Sequence, residues 1–174
     1  SNDGRKLQVT LRQDVTFHNG EALTSADVIA TLDYMFELAG FDDNLDSDVP
    51  VADRGLYYST FYSIRSWEAT DDYTVVFNLR RASYGSLYAL TFPILPVSQV
   101  ASDMPAGTGP YKYDGYEQGS AIWLTANDSW WNRAPQVRYI RASIYDTAEQ
   151  ALNAFDTQSV DIAMTRSINA SRYS

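Results

Sequence analysis

The sequence predicts an α+β (mixed α/β) chain, and three observations carry that prediction. Leu7, Val9 and Leu11 alternate with Gln8, Thr10 and Arg12, the two-residue period of a half-buried strand. Val28, Ile29, Leu32, Met35, Phe36 and Ala39 instead recur at the 3.6-residue spacing of a helix with one apolar face. A hydrophobic content of 45% in 174 residues is enough for a real core, in one domain or two small ones. An amphipathic helix beside strands of this kind packs on a sheet.

In chain order, Val15 and Phe17 resume the strand period after Gln13-Asp14, and Asn19-Gly20 supplies a turn. Thr24 is a good N-cap, Asp27 stands three residues on as in a capping box, and Leu23 with Val28 suits a hydrophobic staple. Asp27, Thr31, Asp33 and Glu37 are expected to look outward from this helix, and Gly40 to end it at C′.

The acidic loop that follows places Asp42, Asn44, Asp46, Asp48 and Asp53 at positions 1, 3, 5, 7 and 12 of a calcium loop. Ser47 stands where the sharp turn wants glycine, Asp53 replaces the usual bidentate Glu, and Pro50 stiffens the second half. A solvated acidic loop is therefore the preferred reading, with calcium ligation as its rival.

Residues 55–63 hold four aromatics at the spacing of a short helix, with Tyr57 over Phe61 and Tyr58 over Tyr62. One row suits a core. The other could face a ligand, because tyrosine joins apolar area to a polar tip. Ile64 to Ala69 and Thr74 to Leu79 flank Asp71-Asp72 and predict a β-hairpin. A short helix near Tyr84 to Leu90 should give way to an extended Phe92-Pro93-Ile94-Leu95-Pro96, which the prolines bar from a central paired strand.

Two glycines and two prolines within 102–110 mark a domain crossing. Beyond it, Tyr111 to Tyr116, Ala121 to Ala126 and Val137 to Tyr145 read as strands. A helix over 147–156 opens with a second capping box, Thr147 and Gln150, and lines Ala148, Ala151, Leu152 and Phe155 on one face. Val160 to Met164 reads as a last strand, making a strand, helix, strand unit that favours a parallel neighbour for 137–145.

With 22 acidic against 13 basic residues the net charge is -9, which disfavours nucleic acid and an anionic membrane face as partners. The chain has no cysteine, so disulfides and thiolate metal sites are excluded. No apolar run reaches the roughly 18–20 residues of a membrane span, and no signal peptide opens the chain. Ser1-Asn2 reads as the remnant of a cleaved purification tag, so that any export signal or lipid anchor lies outside these residues.

Three separated stretches resemble family 5 of the solute-binding proteins of bacterial ABC importers, the peptide- and nickel-binding group. They are LRQDVTFHNGEALTSADV at 11–28, GTGPYKY at 107–113, and NDSWW at 127–131 followed by IRASIYDTAEQALNAF at 140–155 and VDIAM at 160–164. They stand in that family's order and span nearly all of the chain. Gln158-Ser159 depart from the small turn, often with Gly, that precedes the family's counterpart of Asp161, and the acidic stretch at 42–53 is not a general family feature. The resemblance implies part of a periplasmic-binding-protein type II fold. Residues 3–104 would be the accessory subdomain of the first lobe and 105–174 part of that lobe's main sheet, with the second lobe absent.

Nothing in the motifs supports catalysis: there is no GxSxG, GxxxxGK or HExxH, and His18 is the sole histidine, beside a turn. Ligand capture fits better. Tyr57, Tyr58, Phe92 and Tyr111 are the candidate cleft residues, while Trp130 and Trp131 match a structural motif and are expected to pack against the sheet. The function implied is capture of peptides, or of nickel or another small solute, outside the membrane and delivery to an ABC permease. No cofactor is expected, and membrane association comes only through an anchor outside this sequence. The rival readings are a ligand-sensing domain of a transcription regulator and a carboxylate hydrolase.

Overall fold

A computed structural model describes residues 4–41, 55, 57–82 and 84–164. Strands β1 (Lys6–Thr10), β2 (Ile64–Asp71) and β3 (Thr74–Leu79) form one sheet, and β4 (Tyr111–Glu117), β5 (Ala121–Ala126) and β6 (Tyr139–Ser143) a second. The helices are α1 (Ser25–Leu38), α2 (Tyr58–Ser63) and α3 (Ala148–Asp156), with 3-10 turns at Tyr84–Leu90 and Val97–Gln99. The chain divides into two compact units. Ser1–Pro110 with Asn127–Ala134 forms the first, and Tyr111–Ala126 with Pro135–Ser174 the second.

In the first unit β3 lies between β1 and β2, antiparallel to both. Its alternation sends Val75, Phe77 and Leu79 to one face, where Leu7 and Val9 stand opposite Phe77 and Val75 on β1. Val28, Leu32 and Met35 of α1 and its C-cap Ala39 pack there with Phe61 and Ile64 into a single buried cluster. The predicted stop signal works as expected: Gly40 takes φ +85° and donates to the Glu37 carbonyl at 3.1 Å. Val15, Phe17 and Leu23 form a second buried cluster. The expected second strand is reduced to one bridge, Thr16 to Ala22, closed by Gly20 at φ +91°.

The outward positions expected on α1 need correction. Asp33 carries its carboxylate outside and accepts from the Trp67 indole at 2.9 Å, but Asp27 and Thr31 are buried. Both are satisfied by the segment 95–97 described below, which is how polar groups come to be buried on a helix without penalty.

In the second unit β4, β5 and β6 form an antiparallel meander with Gly119 at φ +70° in the first turn. The capping box of α3 is present: the Gln150 amide donates to the Thr147 hydroxyl at 3.2 Å, and the Gln150 side chain accepts from the Thr147 amide at 3.3 Å. The expected last strand does not form. Among the described residues 160–164 join no ladder: the Val160 amide donates to the Ala154 carbonyl at 3.3 Å, Ile162 is 80% and Met164 93% exposed, and β6 has its described ladder with β5, antiparallel. The apolar alternation is there, but a strand exists only where an edge takes up its amides and carbonyls.

Candidate functional site

Three stretches of the first unit are fastened to one another by polar groups. The Asp27 carboxylate accepts from the Thr24 amide at 2.8 Å and the Thr24 hydroxyl at 3.1 Å, and its other oxygen accepts from the Val97 amide at 2.9 Å. Thr31 Oγ1 accepts from the Leu95 amide at 2.9 Å and donates to the Leu95 carbonyl at 3.3 Å. These bonds do for the Pro-containing segment 92–97 what a sheet ladder cannot, since its prolines lack donors. Glu21 accepts from the Ser98 hydroxyl at 2.9 Å, and Gln99 Oε1 accepts from the Ala106 amide at 2.7 Å.

The loop 107–110 is held in the same manner. The His18 amide donates to the Gly107 carbonyl at 2.8 Å, and its Nε2 lies 3.0 Å from the Gly109 carbonyl. A bond between them requires Nε2 to carry the proton, which fixes the tautomer. Asn127 Nδ2 donates to the same carbonyl at 3.2 Å. A Cβ on Gly107 would meet the His18 ring at 3.5 Å, an ordinary contact, so the approach of the imidazole does not itself require glycine there. His18 is thus the clamp of the GTGP turn.

The predicted cleft residues fall into two groups. Tyr57, Tyr58 and Phe92 are all half-buried against the core of the first unit. Tyr57 begins α2 at φ +74°, a conformation that costs a bulky residue energy and that no sequence period could reveal. Tyr58 stacks on Phe41, with ring centroids 5.3 Å apart and planes 5° from parallel, and Phe41 stacks in turn on Phe36 at 5.2 Å. Phe61 lies under them, fully buried, so one predicted row is core and the other rests on it. Tyr111 belongs to the second unit, where its hydroxyl donates to the Val137 carbonyl at 3.1 Å. The calcium-loop residues Asp42, Asn44, Asp46, Asp48 and Asp53 lie outside the described residues.

Trp130 and Trp131 go with the first unit, where the Arg12 guanidinium lies over the Trp131 ring, 4.7 Å from its centroid. The Trp130 indole N–H is buried and meets no acceptor among the described residues. Arg12 also grips Asp14 in a fork, at 3.0 and 2.6 Å, and this bond holds the Asp14 carboxyl below its ordinary range. Among the described residues no three His, Asp or Glu side chains converge as metal ligands, and no helix is long and apolar enough to cross a membrane.

A pinned extended segment, a clamped turn and half-buried tyrosines are thus the features that the first unit brings together. Over residues 1–173 the chain matches the family described as bacterial extracellular solute-binding proteins, family 5 Middle, and it belongs to that family. It is 31% identical to Protein XP55 of Streptomyces lividans, covering 93% of this chain and 29% of that protein. The oligopeptide-binding protein AppA of Bacillus subtilis, solved with a nonapeptide, superposes with a TM-score of 0.71 at 25% identity, over 90% of this chain and 32% of AppA. NikA of Brucella suis, solved with Fe(III)-EDTA, gives 0.72 at 26% identity, over 92% and 32%. The fold is therefore the mixed helix and sheet of periplasmic binding proteins, and the chain spans about 29% of the length of the first of these relatives. The regulator-domain and hydrolase alternatives find no support among them.

Proposed function

We propose that this chain is part of the first lobe of a substrate-binding component of an ABC importer. It captures peptides outside the cell membrane and delivers them to the permease, without making or breaking a bond. The observation that carries this reading is the family match over residues 1–173, joined to the likeness to AppA. In this reading 3–104 is an accessory subdomain and 105–174 part of the main lobe sheet, with a second lobe and a lipid anchor supplied by sequence outside these residues. Two-lobed binding proteins close around a solute, so one lobe carries half a site.

In the first unit the exposed sides of Tyr57 and Tyr58, with Phe92, are the walls we assign to the solute; Tyr111 of the second unit is a separate candidate contact. Tyrosine suits a peptide, whose backbone needs hydrogen bonds while its side chains need apolar area. Nickel or a metal chelate is the second solute class, favoured by the likeness to NikA. Titration of a di- to nonapeptide panel into the two-lobed protein, followed by calorimetry, tests the proposal. Saturable binding that Tyr58→Ala weakens about tenfold, the loss of about 1.4 kcal/mol, is expected. Binding of a metal chelate and of no peptide would overturn it.

A further inference from the structure

A series of aromatic rings runs outward through the first unit and bears on the kind of solute it meets. Phe36 lies nearly parallel to Phe41, 9° apart with centroids at 5.2 Å, and Phe41 to Tyr58, 5° apart at 5.3 Å. Tyr62, one helical turn beyond Tyr58, follows at 6.4 Å with its plane tilted by 38°. Phe61 meets Phe36 and Phe41 edge-on, at 73° and 69°, and Trp67 meets Phe36 at 65°. These are the stacked and edge-to-face arrangements that ring quadrupoles favour. Phe41 is 8% exposed and Tyr62 55%, so the series starts in the core and, among the described residues, ends at a ring in solvent.

Two costly backbone features set α2 in this place. Gly55 lies against the end of α1: its amide donates to the Ala39 carbonyl at 3.1 Å, and a Cβ there would stand 1.8 Å from the Leu38 carbonyl oxygen. Only glycine allows that approach. The Gly55 carbonyl accepts from the Tyr58 amide at 3.3 Å, and between them Tyr57 takes φ +74°. A left-handed tyrosine is strained, and strain of this kind clusters where a binding group has to be positioned. Here it accompanies a Tyr58 ring laid flat on Phe41 and a Tyr62 ring carried beyond it. The 3-10 turn Tyr84–Leu90 packs against α2 and exposes Leu87 and Tyr88, so both elements present apolar surface to solvent. An aliphatic side chain placed on Tyr62 gains buried area alone. An aromatic one gains the ring contact as well, against a partner that the rings beneath already orient, so little freedom is lost on binding.

We propose that Tyr62, positioned by Tyr58, is a stacking subsite for an aromatic side chain, which makes peptides containing Phe, Tyr or Trp the preferred solutes. The inference rests on the reading of the chain as a peptide-capturing lobe and narrows it. Its test is a calorimetric titration of the two-lobed protein with pentaalanine and with the variants that carry one Phe or one Leu at each position in turn. At one position Phe should bind about three- to tenfold more tightly than Leu, the worth of one ring pair. Tyr62→Leu, which keeps apolar area and removes the ring, should bring those two peptides to equal affinity, whereas Tyr62→Phe should keep the preference. Tyr62 is exposed, and circular dichroism melting reports whether each variant keeps its fold. Peptide binding without a preference for Phe, or a preference that survives in Tyr62→Leu, overturns the subsite and leaves peptide capture standing. Binding of no peptide, in this set or in the di- to nonapeptide panel, overturns both.

Discussion

The two units of the chain bury their apolar residues very differently. In the first, Leu32, Phe61, Ile64 and Val75 are wholly enclosed between α1 and the sheet β1-β3-β2. In the second, Ala121 and Ala126 are the buried apolar residues among those described; Tyr113, Tyr116, Tyr139 and Phe155 stay exposed, and α3 buries no residue. The first unit closes a core of its own. The second is a sheet and a helix with correct local signals but little enclosed surface, so its stability rests on caps and ladders more than on burial.

The largest test of that difference is a pair of truncations followed by urea unfolding. Leu32→Ala should cost about 2–5 kcal/mol, because a fully enclosed leucine leaves a cavity, whereas Phe155→Ala, 38% exposed, should cost under about 1 kcal/mol. Equal losses would erase the distinction. Next comes Asp27→Asn, which keeps the shape but removes the charge from a buried carboxylate that serves Thr24 and Val97. A loss of about 1–3 kcal/mol is expected, with the 92–97 segment gaining susceptibility to proteolysis.

Smaller effects are expected in the second unit. Thr147→Ala should lower stability by about 1 kcal/mol through loss of the cap. Gln158 takes φ +57° just after α3, where its amide donates to the Phe155 carbonyl at 2.9 Å. Gln158→Gly should therefore raise the thermal midpoint, worth about 1 kcal/mol, because glycine pays no steric cost in that conformation. The smallest effect concerns Asp14, whose folded carboxyl is held below its ordinary value of 3.8 by Arg12. A depressed folded value stabilises above the ordinary value and is lost as pH falls through the folded one. In an NMR titration, Arg12→Ala should return Asp14 to the ordinary aspartate range with little change in melting at neutral pH.

What could be read from the sequence was local. The Thr24 and Thr147 caps, Gly40 and the β2-β3 hairpin depend on residues a few positions apart, and all stand as expected. What escaped depends on partners far along the chain. Asp27 and Thr31 read as solvent-facing because the groups that satisfy them, Val97 and Leu95, lie 70 and 64 residues away. Val160 to Met164 has the pattern of a strand but no pairing edge among the described residues. For the site, the aromatic row at 57–62 was visible, but the left-handed turn at Tyr57 and the His18 clamp on 107–109 depend on backbone conformation and on partners far along the chain. Periodicity carries no trace of them.

The most direct test of the account compares one peptide on two proteins. A peptide that the two-lobed protein binds, titrated into the isolated 174-residue chain, should show no saturable binding below about millimolar, a loss of several factors of ten in affinity. Comparable affinity in the isolated chain would contradict the claim that it carries only half of the site.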